Sequence, residues 1–142
     1  MARIGRRIAF DYGDVRIGVA VCDPDAILAT PYGVLLSKDP TLMSQIQKLI
    51  QEFEPVKFYI GLPIHLSGNE SDSTSKARAF GELLSKKFAI PYEFIDERLS
   101  TVSASKNLSQ AGISAKEAKD KIDAMAAVQI LEHALSKVRK EI

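Results

Sequence analysis

The stretch Arg7 to Val21, RIAFDYGDVRIGVAV, sets two apolar runs on either side of Gly13 and Asp14. Aliphatic and aromatic residues flanking a turn signal predict a pair of antiparallel strands. Burial of those strands accounts for the apolar residues and the turn accounts for Gly13. Neither accounts for Asp11, because an ionised carboxylate at the end of a buried strand requires a cation or a hydrogen-bond partner. The chain has 142 residues, which predicts one compact domain over 1–142 with a substantial core.

The remaining segments define the layers around that hairpin. Tyr32 to Ser37 reads as a third strand, and Lys38 to Pro55 contains a helix with Asp39 as its cap and Pro40 in its first turn. Leu42, Ile46, Leu49, Ile50 and Phe53 recur at helical spacing and Pro55 stops the pattern. VKFYIGLP reads as a buried strand ending at Gly61, followed by a polar loop and a helix over Ser75 to Phe88. Ile90 to Ile95 supply another strand. Ser100 or Thr101 caps a short helix ending near Gly112, and Ser114 with Glu117 has capping-box spacing at the start of a last helix, Ala115 to about Lys140.

This order predicts an α/β layered domain with a mixed sheet, in which the ends of the strands carrying Asp11 and Asp96/Glu97 lie close together. In the last helix Ala124, Val128, Leu131, Leu135 and Val138 form the core stripe. Asp123 lies on its flank with Ala127, Ile130 and Ala134, so its carboxylate points toward packed protein. Asp11, one of Asp96 and Glu97, and Asp123 therefore stand out as acids near core. Converging carboxylates repel one another, and a hard divalent cation such as Mg²⁺ or Mn²⁺ relieves the repulsion in an all-oxygen site. Such a site is suited to phosphodiester cleavage. Side chains alternate along a strand, so Asp96 and Glu97 face opposite sides, and parity without register does not choose between them.

Composition limits the other classes of function. The chain is 46% apolar and 26% charged, as expected of a soluble globular protein. Its apolar runs fall short of the roughly 18 to 20 residues of a membrane span, and neither a secretion signal nor an anchor is expected. A single cysteine, Cys22, excludes an intrachain disulfide and a thiol-rich metal site and suits a reducing cytoplasm. The formal net charge of +1 leaves nucleic-acid binding to local clusters such as Arg3, Arg6, Arg7 and Arg16.

Taken together, FDYGDVRIGVAV, IGLPIHLSGNES, DERLST and KIDAMAAVQIL resemble, in order and spacing, the signature blocks of the YqgF/RuvX family, described both as Holliday junction resolvases and as pre-16S rRNA 5′-end nucleases. The resemblance implies an RNase H-like three-layer fold with a mixed five-stranded sheet, three antiparallel strands followed by two parallel ones, flanked by helices. It implies a divalent-metal nuclease of the cytoplasm acting on pre-16S rRNA or branched DNA, ribosome-associated, a monomer or weak homodimer. The catalytic and metal-binding acids it implies are Asp11, Glu97 and Asp123, with Asp96 as the alternative metal ligand. RuvC-type sites commonly carry a fourth acid near the one in the last helix; position 126 here is Ala, and the next acid is Glu132.

Other motif residues are candidates for substrate binding. Gly13 permits the hairpin to turn, Arg16 is placed to pair with a phosphate, and Arg98 to contact substrate. Gly61, Pro63, Gly68 and Asn69 lie at the carboxyl end of a strand, where open α/β sheets bind ligands, with Ser100 and Thr101 completing the DERLST block. His65 and His133 are not expected to ligate metal, His133 following a helix-surface pattern. Two rivals remain: an actin-like or Hsp70-like phosphate-binding module, and a non-catalytic nucleic-acid-binding module. The first lacks a second duplicated domain, and Val19 and Ala20 stand where a Walker A loop needs Lys and Ser/Thr. The second finds little support in 7% aromatic content without Trp.

Overall fold

A computed structural model describes residues 4–63, 72–97 and 115–141. Five strands and three helices follow in the order β1 (Arg7–Tyr12), β2 (Arg16–Cys22), β3 (Ala29–Leu36), α1 (Leu42–Phe53), β4 (Lys57–Leu62), α2 (Asp72–Phe88), β5 (Tyr92–Asp96) and α3 (Ala115–Glu141). The sheet order is β3-β2-β1-β4-β5. β1 pairs antiparallel with β2, and β2 with β3; β4 lies parallel to both β1 and β5. The expected mixed sheet, with its antiparallel half and its parallel half, is present.

Strand parity divides the core into two layers. Ile8, Phe10, Phe58 and Ile60 join Ile46 and Leu49 of α1 and Phe80 and Leu84 of α2. Phe10 meets Phe58 and Phe80 edge to face, each pair of centroids 5.4 Å apart, a favoured aromatic geometry. The other face presents Ala9, Ala20, Tyr59 and Ile95 to Ala126, Ala127, Ile130, Leu131 and Ala134 of α3. Small residues on both sides allow α3 to lie close against the sheet.

Several boundaries differ from the sequence expectation. β3 begins at Ala29 rather than Tyr32, because its first residues pair with β2 across a register shift at Val19/Ala20. Exposed Thr30, Pro31 and Tyr32 disguise that segment as loop. β4 extends to Leu62, β5 runs Tyr92–Asp96, and α2 begins at Asp72. α1 begins at Leu42, and Thr41 holds the N-cap position without a side-chain cap. Asp39 acts from just outside the helix, accepting hydrogen bonds from Thr41 N–H (2.8 Å), Thr41 Oγ1 (2.7 Å) and Gln45 Nε2 (3.1 Å). Pro40 accordingly precedes the helix. The helix closes with Glu54 in the left-handed conformation, its N–H on Ile50 O, immediately before Pro55. The short helix expected near 100–112 lies outside the described residues.

The Asp39 carboxyl is held below its usual range, chiefly by the Thr41 N–H and then by the Thr41 hydroxyl. A depressed carboxyl stabilises the fold fully above its unfolded value and loses that contribution as pH falls through the folded one. Asp39→Ala is therefore expected to lower the urea midpoint at neutral pH, and the gap from wild type to close on acidification below the ordinary carboxylate range. Urea titrations of both proteins across that range measure it.

Candidate functional site

Asp11 closes the buried part of β1 with only 5% of its surface exposed. Ile8 and Phe10 belong to the α1/α2 layer and Ala9 to the α3 layer, so Asp11 shares the α3 face. Directly opposite it on β2 is Gly18. A Cβ on Gly18 would overlap the carbonyl oxygen of Asp123, so the helix backbone rests on the sheet at this point. The strand pairing thus brings Asp11 and Asp123 to the same end of the same face.

On the other side of β1, Phe10 pairs with Ile60, which places Gly61 next in the parallel register. A Cβ on Gly61 would overlap Ile130 Cδ1 of α3 and lie 3.3 Å from Glu97 Cγ. Glu97, 9% exposed, therefore enters the α3 layer beside Gly61. Asp96 is paired with Leu62 and has the parity of Tyr92 and Phe94, which pack toward α1 and α2. Register supplies the choice that parity alone left open: Glu97 shares the face with Asp11, and Asp96 points to the opposite side.

The hairpin tip beside these acids is fixed from several directions. Ser37 Oγ donates to Gly13 O, and Ser37 N–H donates to Val15 O at 2.9 Å. A Cβ on Gly13 would lie 2.7 Å from Arg16 O, closer than real side chains approach, so the turn needs glycine there. Lys76 of α2 pairs with Asp14 at 3.0 Å, and that hydrogen bond raises the Lys76 ammonium above its ordinary value. Arg16 Nε pairs with Asp120 Oδ1 of α3, also at 3.0 Å. At the end of β4, the buried Thr74 hydroxyl donates to Pro63 O, joining α2 to that strand.

The acids offer only oxygen donors, the chemistry that Mg²⁺ or Mn²⁺ takes. Among the described residues, no three His, Cys, Asp or Glu side chains form a ready-made ligand cluster. The site is thus a shared face and strand end carrying suitable donors. Ala126 is fully buried against the sheet, and Glu132 is exposed, so neither supplies a fourth acid. His133 is half-buried, with Nε2 shielded from solvent, rather than on the helix surface. Cys22 is buried, and desolvation pushes its thiol upward despite a hydrogen bond from Arg7 N–H. Gly68, Asn69, Arg98, Ser100, Thr101 and His65 lie outside the described residues. Asp120 and Ser37 were not anticipated as neighbours of the site; Asp120 lies one helical turn before Asp123, the signal that sequence offered.

The sheet order and the helix across its face define an RNase H-like α/β fold. Thermus thermophilus RuvC, solved in complex with a Holliday junction substrate, superposes with a TM-score of 0.57 at 12% identity, covering 95% of this chain and 96% of RuvC. The family model described as "RuvX: Holliday junction resolvase" matches residues 5–137, and the chain belongs to that family. Relatives named "Putative pre-16S rRNA nuclease" include those of Streptomyces avermitilis, 44% identical over 96% of this chain and 89% of the relative, and Streptomyces coelicolor, 44% identical over 96% and 83%. A relative of the same name from Cutibacterium acnes is 40% identical over 95% and 84%. No helix among the described residues is long and apolar enough to cross a membrane.

The glycine contacts make a graded prediction. Gly18→Ala drives a methyl into helix backbone and is expected to cost about 3 kcal/mol or more, at the upper end of overpacking. Gly61→Ala meets a flexible Ile130 terminus and is expected to cost less. Urea unfolding of both variants should rank them in that order.

Proposed function

We propose that this protein is a metal-dependent phosphodiester hydrolase that processes the 5′ end of pre-16S rRNA. The observation that carries the reading is buried Asp11 on one face with Glu97 and Asp123, at the end of an RNase H-like sheet. The names of its relatives indicate the RNA substrate. Asp11, Glu97 and Asp123 would hold Mg²⁺ or Mn²⁺, which supplies Lewis acidity at the scissile phosphate and lowers the pKa of a water nucleophile.

The chain's own contribution is positional. β1 fixes Asp11 between two glycines, Gly18 admitting the α3 backbone and Gly61 admitting Ile130 and Glu97, and α3 brings Asp123 over β2. Arg16 supplies positive charge for the phosphate backbone, with Gly13, Gly61 and Pro63 shaping the strand-end floor. Gly68, Asn69, Arg98, Ser100 and Thr101 are the further candidates for substrate contact. Trimming one RNA end requires a single active site, so the reading fits a cytoplasmic monomer or weak homodimer acting on the ribosomal precursor. The family description favours a second reading, resolution of branched DNA, served by the same carboxylates.

Labelled precursor 16S rRNA and a four-way DNA junction, incubated in parallel with Mg²⁺ or Mn²⁺, test the reading. Wild type should cut the RNA, and selective junction cleavage would transfer the function to resolution. Asp11→Asn and Glu97→Gln should retain the fold by circular dichroism and lose about 100-fold or more of the cleavage rate, at least the loss seen for residues supporting a metal site. Asp96→Asn should remain active. Wild-type rates in the Asp11→Asn variant would remove the carboxylate mechanism.

A further inference from the structure

Arg16 stands where the hairpin leaves its turn, and its partner is distant in sequence. Its Nε meets Asp120 Oδ1 at 3.0 Å across 104 positions. Arg16 has the strand parity of Gly18, against which the Asp123 backbone rests, and Asp120 precedes Asp123 by one turn. The ion pair therefore borders the carboxylate site on its own face. Its side chains are 22% and 40% exposed, so the pair is neither sealed in the core nor dispersed in water.

A partly exposed ion pair contributes little to stability, which makes stability a weak reason for this arrangement. Geometry offers a stronger one. A guanidinium presents five donors in a rigid planar fork, and an acceptor at Nε limits how that plane can swing. Ser37 and Gly13 hold the backbone on which the fork is mounted. A polyanion approaching Asp11, Glu97 and Asp123 meets like charge, and a fixed cation on the same face offsets that repulsion.

We propose that Asp120 is a positioning residue that holds the Arg16 guanidinium toward a backbone phosphate of bound nucleic acid beside the carboxylate site. The proposal rests on the nuclease reading for its substrate class, phosphodiester polymers. Asp120 acts through Arg16 and makes no phosphate contact itself, so its effect must vanish when Arg16 is absent.

Binding in EDTA separates this role from catalysis. The probe is a fluorescent RNA spanning the 5′ end of precursor 16S rRNA, with Kd measured over a range of KCl. Arg16→Ala is expected to weaken binding about 10-fold and to flatten the dependence of log Kd on log salt by about 0.7, one single-strand phosphate contact. Asp120→Ala should weaken binding about 3-fold to 10-fold, Asp120→Glu should recover to within about 2-fold of wild type, and the double variant should be no weaker than Arg16→Ala alone. If Asp120→Ala does not fold, Asp120→Asn carries the comparison, with a smaller loss that again disappears in the Arg16→Ala background. Unchanged or tighter binding by Asp120→Ala, or losses that add in the double variant, would overturn the positioning role. Wild type that binds this RNA without cutting it when metal is restored would overturn the nuclease reading and leave the coupling intact. Wild type that does not bind it would overturn the phosphate contact.

Discussion

The backbone of α3 touches the sheet at Gly18, and the geometry of the acidic face follows from that contact. A side chain at position 18 would lift the helix and carry Asp123 away from Asp11, its neighbour across the β1–β2 ladder. Ala9, Ala20 and Gly61 continue the shallow surface beneath α3, matched by Ala126, Ala127 and Ala134 on the helix. The opposite layer is built on another principle, with Phe10, Phe58 and Phe80 filling a deeper gap by edge-to-face packing. One side of the sheet thus holds most of the aromatic bulk, while the other trades bulk for proximity. That asymmetry lets the helix backbone approach the strands closely on one face.

Much of this was legible in the sequence because it depends on local patterning. The hairpin followed from two apolar runs around Gly13, and the α3 core stripe from its steps of three and four. Which of Asp96 and Glu97, at the end of β5, shares the face of Asp11 was not legible in local patterning, since the two differ only in parity and parity acquires meaning only through the register of β4 between the strands. The start of β3 was obscured for a different reason. Pro31 and the exposed Thr30 and Tyr32 carry a loop-like signature, and only pairing with β2 draws them into the sheet. The Arg16–Asp120 pair joins positions too far apart for any local pattern to reveal, although the periodicity of α3 already set Asp120 beside Asp123.

Fold and family membership rest on separate grounds. RuvC shares the topology at 12% identity, showing that this layer order survives near-complete replacement of side chains. The relatives at 40–44% identity connect the chain to a particular family. Chemistry is decided at neither level but by the few groups mounted on the frame. Here the mounting is unusually constrained at the β1–β2 turn, where Ser37 from β3's end, Lys76 from α2 and Asp120 from α3 each take hold of a different residue. Movement of that turn would disturb bonds to three separate parts of the molecule.

The proline in β3 has a consequence at a larger scale. β3 ends the sheet on one side, contains Pro31, and is distorted against β2 at Val19/Ala20. A strand from another molecule laid along this margin would encounter a missing amide hydrogen and a local kink instead of an unbroken row of donors and acceptors. The irregularity that hides β3 in the sequence also makes this margin of the sheet a poor template for strand addition.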